Sequence, residues 1–223
     1  MSSLVADLVH QINTPLTNVQ IYSGFLMQEN LSGKEKEEIC SIINCQIEKL
    51  GWFADGFIKT ARLENDMRKL RPEKQSILPV ILSAIDEISV RAENHGNEIC
   101  LYGEQDIEAF FDSRWTEEAI FNLLDNAVKY GKEGSKIRIH MTLYEVYIRV
   151  DVINTGRLIP EKEYTRIFKR YYRGENAMCV KEGVGLGLYL TRQIMTEQGG
   201  YVKVSDYKGK GMQFSLFFLK NKV

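Results

Sequence analysis

The chain lacks an excess of either charge: 29 Lys and Arg stand against 30 Asp and Glu in 223 residues. That balance removes the electrostatic footprint of a nucleic-acid binder or of a protein held on an anionic membrane, so neither is expected as a partner. No run approaches the roughly 18 apolar residues of a membrane span. The opening MSSLVADLVHQ has neither the basic flank nor the uninterrupted apolar core of a signal peptide. A soluble, cytoplasmic chain is the expectation. Internal repeats and low-complexity tracts are also missing. Cysteine is sparse: Cys40, Cys45, Cys100 and Cys179 include no pair at the two-residue spacing of a zinc knuckle, so buried or inert thiols in a reducing compartment are expected.

What is present divides into two regions of different period. With 44% hydrophobic residues the chain can build one large core or two modest ones. From Val5 to Leu26 the apolar residues Val5, Leu8, Ile12, Val19, Tyr22 and Leu26 follow three-four spacing, which predicts a helix. LSGKE breaks the pattern, and Ile39, Ile43, Leu50, Phe53 and Phe57 restore it on a second helix. Such a hairpin buries one stripe per helix, and two copies complete a four-helix bundle about a two-fold axis. The charged stretch LRPEKQ, Leu70 to Gln75, reads as a linker.

Beyond it, PVILSAIDEISVRAENHG predicts a helix ending at Gly96, and IEAFFD a strand. Ser113 is the expected cap of a helix running to Gly131. KIRIHMTL and VYIRVDVI alternate as two strands, a helix spans Leu188 to about Gln198, and YVKVSD and MQFSLFF close a sheet. The fold class expected is α+β: an antiparallel helical hairpin over residues 1–70, then an α/β sandwich over 71–223.

Several segments carry chemistry. LVHQINTPLTN sets His10 opposite the first helix's apolar seam, with Thr14 one turn on. Pro15 cannot donate to the carbonyl of Gln11, so a bend is expected there. In NLLDNAVKY, residues 122–130, Asn122, Asn126 and Lys129 share one helix face while Leu123, Leu124, Ala127 and Val128 turn elsewhere. GVGLGL places Gly183, Gly185 and Gly187 immediately before a helix, where backbone amides and the helix dipole suit phosphate. His95, at a helix end, and His140, on a half-exposed strand, read as structural.

LVHQINTPLTN, NLLDNAVKY, IFKRYYRG and GVGLGLYL, in that order, resemble the H, N, F and G2 boxes of sensor histidine kinases, over nearly the whole chain. The resemblance implies ATP and Mg²⁺ as cofactors, autophosphorylation of His10, and transfer to an aspartate on a response regulator receiver domain. It implies a homodimer, located as the intracellular portion of a membrane-bound sensor. Asn126 would ligate Mg²⁺, and Lys129 and Tyr130 would meet phosphates and nucleoside, with Asn122 on the same face. Arg173 would stand near the γ-phosphate, Gly183, Gly185, Leu186 and Gly187 would form the phosphate loop, and Phe168 and Tyr171 would pack the base of a lid from about Gly174 to Glu182. Thr14 would match the position that orients water to dephosphorylate the regulator.

Two positions depart from the family. The residue after the histidine is usually acidic, and here is Gln11, which can accept a hydrogen bond but cannot take a proton. In NTGRLIP the usual Asp is Asn154 and the usual second Gly is Leu158, with Gly156 retained and Ile159 offering an apolar surface to the base. A neutral acceptor is worth roughly 1 kcal/mol less than a charged one. These departures keep a second reading open, a nucleotide-binding signalling scaffold with weak catalysis. A third, an ATPase driving a clamp, leaves the His10 segment unexplained.

Overall fold

The computed structural model describes residues 2–28, 31–66, 70–104, 107–172, 174 and 185–221. Side chains at 2–8, 10, 11, 59, 60 and 63–66 lie outside that description. The described chain forms two compact units, the first made chiefly by residues 1–62.

The first unit holds α1 (Ser2–Leu26) and most of α2 (Gly33–Asp66). α1 continues through Pro15, which is its one buried side chain among those described. The predicted seam residues Ile12, Val19, Tyr22 and Leu26 are half-buried. α2 starts where a capping box satisfies its free amides. Ser32 Oγ accepts from Glu35 N at 3.3 Å, while the Glu35 carboxylate accepts from Ser32 N at 2.8 Å and from Ser32 Oγ at 2.7 Å. The Ser32 hydroxyl and then its amide hold the Glu35 carboxyl below the usual carboxylate range. LSGKE, read as a break, is therefore also a helix start signal.

The second unit is a five-stranded sheet in the order β2-β4-β5-β7-β6, with helices on one face. β2 (Glu98–Gly103) runs parallel to β4 (Lys136–Leu143), and β5 (Tyr147–Thr155), β7 (Gly211–Leu219) and β6 (Tyr201–Asp206) continue antiparallel. α4 (Ser113–Tyr130) lies between α3 (Leu78–Asn94) and α5 (Gly187–Glu197) and packs on the sheet. The core follows from the period-two and period-3.6 patterns. Ile137, Ile139 and Met141 of β4, and Ile148, Val150 and Val152 of β5, meet Leu123, Leu124, Ala127 and Val128 of α4. The α+β class holds, and helices cover one face as the alternating strands require. Among the described residues no helix is long and apolar enough to cross a membrane.

Three local readings are corrected. LRPEKQ is not a linker. Leu70 packs beside Trp115 and Leu190, Arg71 N donates to Asp112 Oδ2 at 3.1 Å, and Glu73–Ser76 form β1, paired antiparallel with β3 (Glu108–Phe111). Its charge reflects a two-stranded ribbon facing solvent. Strand β2 was not read at all, because its pairing with β4 is a long-range event. The cap of α4 is Asp112, whose carboxylate accepts from Trp115 N at 3.3 Å; Ser113 instead donates to Gln75 Oε1 at 2.6 Å. Cys40, Cys45 and Cys100 are free thiols, Cys40 exposed and the other two half-buried instead of fully buried.

The capping box predicts the stability of the first unit. Ser32→Ala should cost about 1 kcal/mol, read as a lower melting temperature with α2 losing helicity at its start. Because the folded pKa of Glu35 is depressed, its contribution is present above the ordinary carboxylate range and fades as pH falls through the lowered value. Ser32→Ala should therefore weaken the acid-side loss of helicity.

Candidate functional site

The amphipathic α4 organises the candidate site. Its apolar residues are buried in the core, while Asn122, Asn126 and Lys129 are half-buried along the other side, as the spacing predicts. Each polar side chain has an assigned neighbour. Asn122 Nδ2 donates to Glu118 Oε1 at 3.3 Å, one turn earlier. Asn126 Nδ2 donates to the carbonyl of Asn122 at 2.9 Å, which fixes the amide and turns its oxygen away from that bond. Lys129 Nζ pairs with Asp125 Oδ2 at 2.6 Å, and Arg91 of α3 holds the other oxygen of the same carboxylate. Its ammonium is thus directed to Asp125, and a phosphate would have to share or exchange that partner. Glu118 and Asp125 were not singled out from the sequence. Their spacing of four residues to Asn122 and Lys129 is the signal that could have found them.

Segments distant in sequence are pinned against this helix by glycines. At its C-terminal end, Gly131 and Gly156 form a β-bridge, and a Cβ on Gly156 would collide with the carbonyl of Tyr130. That approach brings Asn154, at the end of β5, beside Tyr130. Near its middle, a Cβ on Gly187 would stand 3.0 Å from Asn122 Oδ1. Gly185 has φ +76°, its carbonyl accepts from Tyr171 N at 2.9 Å, and a Cβ there would lie 2.6 Å from the carbonyl of Tyr172. Only glycine meets both conditions. The end of IFKRYYRG and the start of GLGLYL therefore sit side by side.

α5 begins at Gly187 with Leu186 as its N-cap and no side-chain capping bond, so its first amides are open to an anion. Leu186 is buried and anchors the turn from below. Ile159 is half-buried, with its amide donating to Met212 Sδ at 3.3 Å. Phe168 is buried in the main core with Ile167. The phenol of Tyr164, packed against the core, is pushed up by burial, with Asp206 and Glu161 adding to the shift.

His10 and Gln11 are residues of α1, their side chains outside the description, and Thr14 is exposed on the same helix. Arg173 and Gly183, and the lid reading over 175–182, lie outside the described residues. His95 ends α3, its amide donating to the carbonyls of Arg91 and Ala92, and His140 on β4 shares a hydrogen bond with Thr142 Oγ1 at 3.2 Å. Both fit structural roles. Among the described residues no three His, Cys, Asp or Glu side chains cluster to hold a metal. One oxygen donor on α4 is the Asn126 amide oxygen, which suits Mg²⁺ only if substrate phosphates supply further oxygens.

Comparison with known proteins places this arrangement. Residues 111–222, just over half of the chain, match the family described as Histidine kinase-, DNA gyrase B-, and HSP90-like ATPase. Sensor histidine kinase YvrG of Bacillus subtilis is 27% identical over 219 residues, covering 97% of this chain and 38% of that protein. Sensor histidine kinase CusS of Escherichia coli K12 is 27% identical over 212 residues, covering 93% of this chain and 44% of the relative. The chain thus spans less than half the length of these curated relatives. The crystal structure of histidine kinase ThkA in complex with response regulator protein TrrA superposes with a TM-score of 0.68 at 22% identity, covering 98% of this chain and 61% of that one. The chain belongs to the histidine kinase-, DNA gyrase B- and HSP90-like ATPase family, and its resemblance within that family is to the catalytic cores of sensor histidine kinases.

Proposed function

We propose that the chain is the core of a sensor histidine kinase, with a phosphotransfer unit over residues 1–70 and an ATP-binding unit over 71–223. The observation that carries the reading is the convergence on α4. Gly156 brings the end of β5 to the C-terminal end of α4, Gly187 brings the start of α5 against Asn122, and Gly185 joins the Tyr171–Tyr172 stretch to that start. The triphosphate lies along those amides, and the base lies toward Asn154, Gly156 and Ile159. Mg²⁺, when bound, screens the charge of the transferring phosphoryl group, and Asn126 would hold it together with phosphate oxygens. Arg173 and Gly183 complete the phosphate contacts.

In the transfer, the unprotonated ring nitrogen of His10 attacks the γ-phosphorus. The bond to the bridging β–γ oxygen breaks, the P–N bond forms, and ADP leaves with the electron pair. The proton on the other ring nitrogen keeps the reactive tautomer in place, and Gln11 accepts from it. That proton then passes to solvent, since an amide cannot take it. The phosphoryl group moves on to an aspartate of a response regulator. Thr14, exposed one turn from His10, orients the water of the reverse, dephosphorylating step.

A homodimer completes the first unit. Val9 (49% exposed), Leu16 (43%), Ile21 (49%) and Phe25 (43%) on α1, with Ile47 (53%) and Ile58 (47%) on α2, leave too much apolar surface for a lone pair of helices. A second copy covers it as a four-helix bundle. Such a unit in a cytoplasmic position serves as the output end of a longer sensor.

Incubated with labelled Mg-ATP, the chain should acquire acid-labile, base-stable phosphate, and His10→Ala should bind ATP but gain no label. Gln11→Glu should raise the labelling rate by about tenfold or more, with ATP affinity unchanged. Label on the His10 variant defeats the assignment, and an inert Gln11→Glu chain selects the scaffold instead.

Asn126→Ala should abolish Mg-dependent nucleotide binding by calorimetry while leaving the dimer intact. Light scattering of the unmodified chain should give twice the monomer mass, and Ile21→Glu should shift it toward the monomer.

A further inference from the structure

Three amide side chains are buried in the second unit; Gln198 is committed at both ends of its amide, and Asn97 through its nitrogen, its Oδ1 having no partner among the described residues. Asn97 Nδ2 donates to the carbonyls of Lys132 and Ser135, both at 3.0 Å, and Gln198 Oε1 accepts from Asp112 N at 2.5 Å while its Nε2 donates to the carbonyl of Ile194 at 3.2 Å. Asn154 is as buried, at 3% exposure, yet no hydrogen bond joins its amide to another described side chain or carbonyl. A buried amide without partners is costly and is kept where a ligand completes it. Its position is set by the strand. Asn154 lies on the face of β5 that carries Val150 and Val152, paired in register with Met212 of β7, and its Nδ2 stands 3.4 Å from where a Cβ of Gly156 would be. Met212 is 2% exposed, and its sulfur is taken by the amide of Ile159. Beside Asn154, then, the register neighbour offers no further polar group.

We propose that Asn154 reads the nucleotide base with both ends of its amide, so that the site accepts guanine as well as adenine. The inference rests on the ATP-binding reading of this site. An amide carries an acceptor and two donors side by side. Its oxygen accepts from the exocyclic amine of adenine while its nitrogen donates to N1. Turned over about its last bond, with the same shape and the same volume, it donates to O6 of guanine and accepts from N1–H. A carboxylate at this place offers acceptors only, and it would face O6 with a like partner. The neutral pair of Asn154 and Met212 therefore removes the discrimination that a charged acceptor imposes, and no second polar side chain in register restores it.

The test is competition on the whole chain. A fluorescent ATP analogue is bound in the presence of Mg²⁺ and displaced with ATP or with GTP. GTP should displace it with an apparent Kd within about tenfold of that of ATP. Asn154→Asp should tighten ATP severalfold and weaken GTP by about tenfold or more, and Asn154→Leu, of similar volume, should weaken both together. Circular dichroism of each variant checks that the sheet is intact. Displacement by ATP but not by a hundredfold excess of GTP overturns the inference and leaves the ATP-binding reading in place. So does an ATP to GTP ratio that Asn154→Asp does not move. Failure of every nucleotide to bind the unmodified chain overturns the ATP-binding reading itself.

Discussion

Close approach of backbone to the half-buried side of α4 is the constraint on which the second unit depends. The helix is held on one side by Leu123, Leu124, Ala127 and Val128 in the core, so its orientation about its own axis is not free. Asn122 and Asn126 are then turned to the other side, where a Cβ on Gly187 would come within 3.0 Å of Asn122 and one on Gly156 would strike the carbonyl of Tyr130. Hydrophobic burial sets the rotation of the helix, and glycine lets the β5 end and the α5 start come near it. Neither alone would make a site.

The polar network around that helix is graded by how firmly each group is committed. The Asn126 amide nitrogen is tied to a carbonyl of its own helix, which leaves a directed oxygen. Lys129 is tied to Asp125, which Arg91 also engages, so its charge is partly compensated before any phosphate arrives. Asn154 is tied to nothing described, although it is among the most buried polar residues.

The helical unit rests on a different economy of surface. Among its described side chains, Pro15 and Phe53 are the large buried ones, whereas apolar residues of both helices stand in the open. A pair of helices has too little interior to satisfy its own apolar stripes, and this explains why the three-four periodicity there is so clear while burial within one chain is so low. The second unit, with a sheet to cover, buries nearly every apolar residue that its patterns point inward.

Legibility divides along physical lines. Periodicity is a local property of the chain, so α1, α3, α4, α5, β4, β5, β6 and β7 could be read from it, and so could the shared face of Asn122, Asn126 and Lys129. The glycine pattern before α5 marked the close approach of Gly187 to Asn122, and the family boxes marked the family to which residues 111–222 belong. What depends on partners far along the chain could not be read. β2 exists because β4 lies beside it in parallel, and β1 because β3 draws a charged stretch into a ribbon. Asp112 caps α4 because Gln75 recruits Ser113, a competition between neighbours that the sequence states only as two equally able caps. The ion pair of Lys129 with Asp125, one turn earlier on α4, is likewise set by the fold. The sequence by itself determined which faces are apolar and which residue types are present to bind phosphate. Only tertiary structure decided which of those groups are already satisfied and which, like the Asn154 amide, have no hydrogen bond to another described group, because hydrogen-bond satisfaction is a property of neighbours in space.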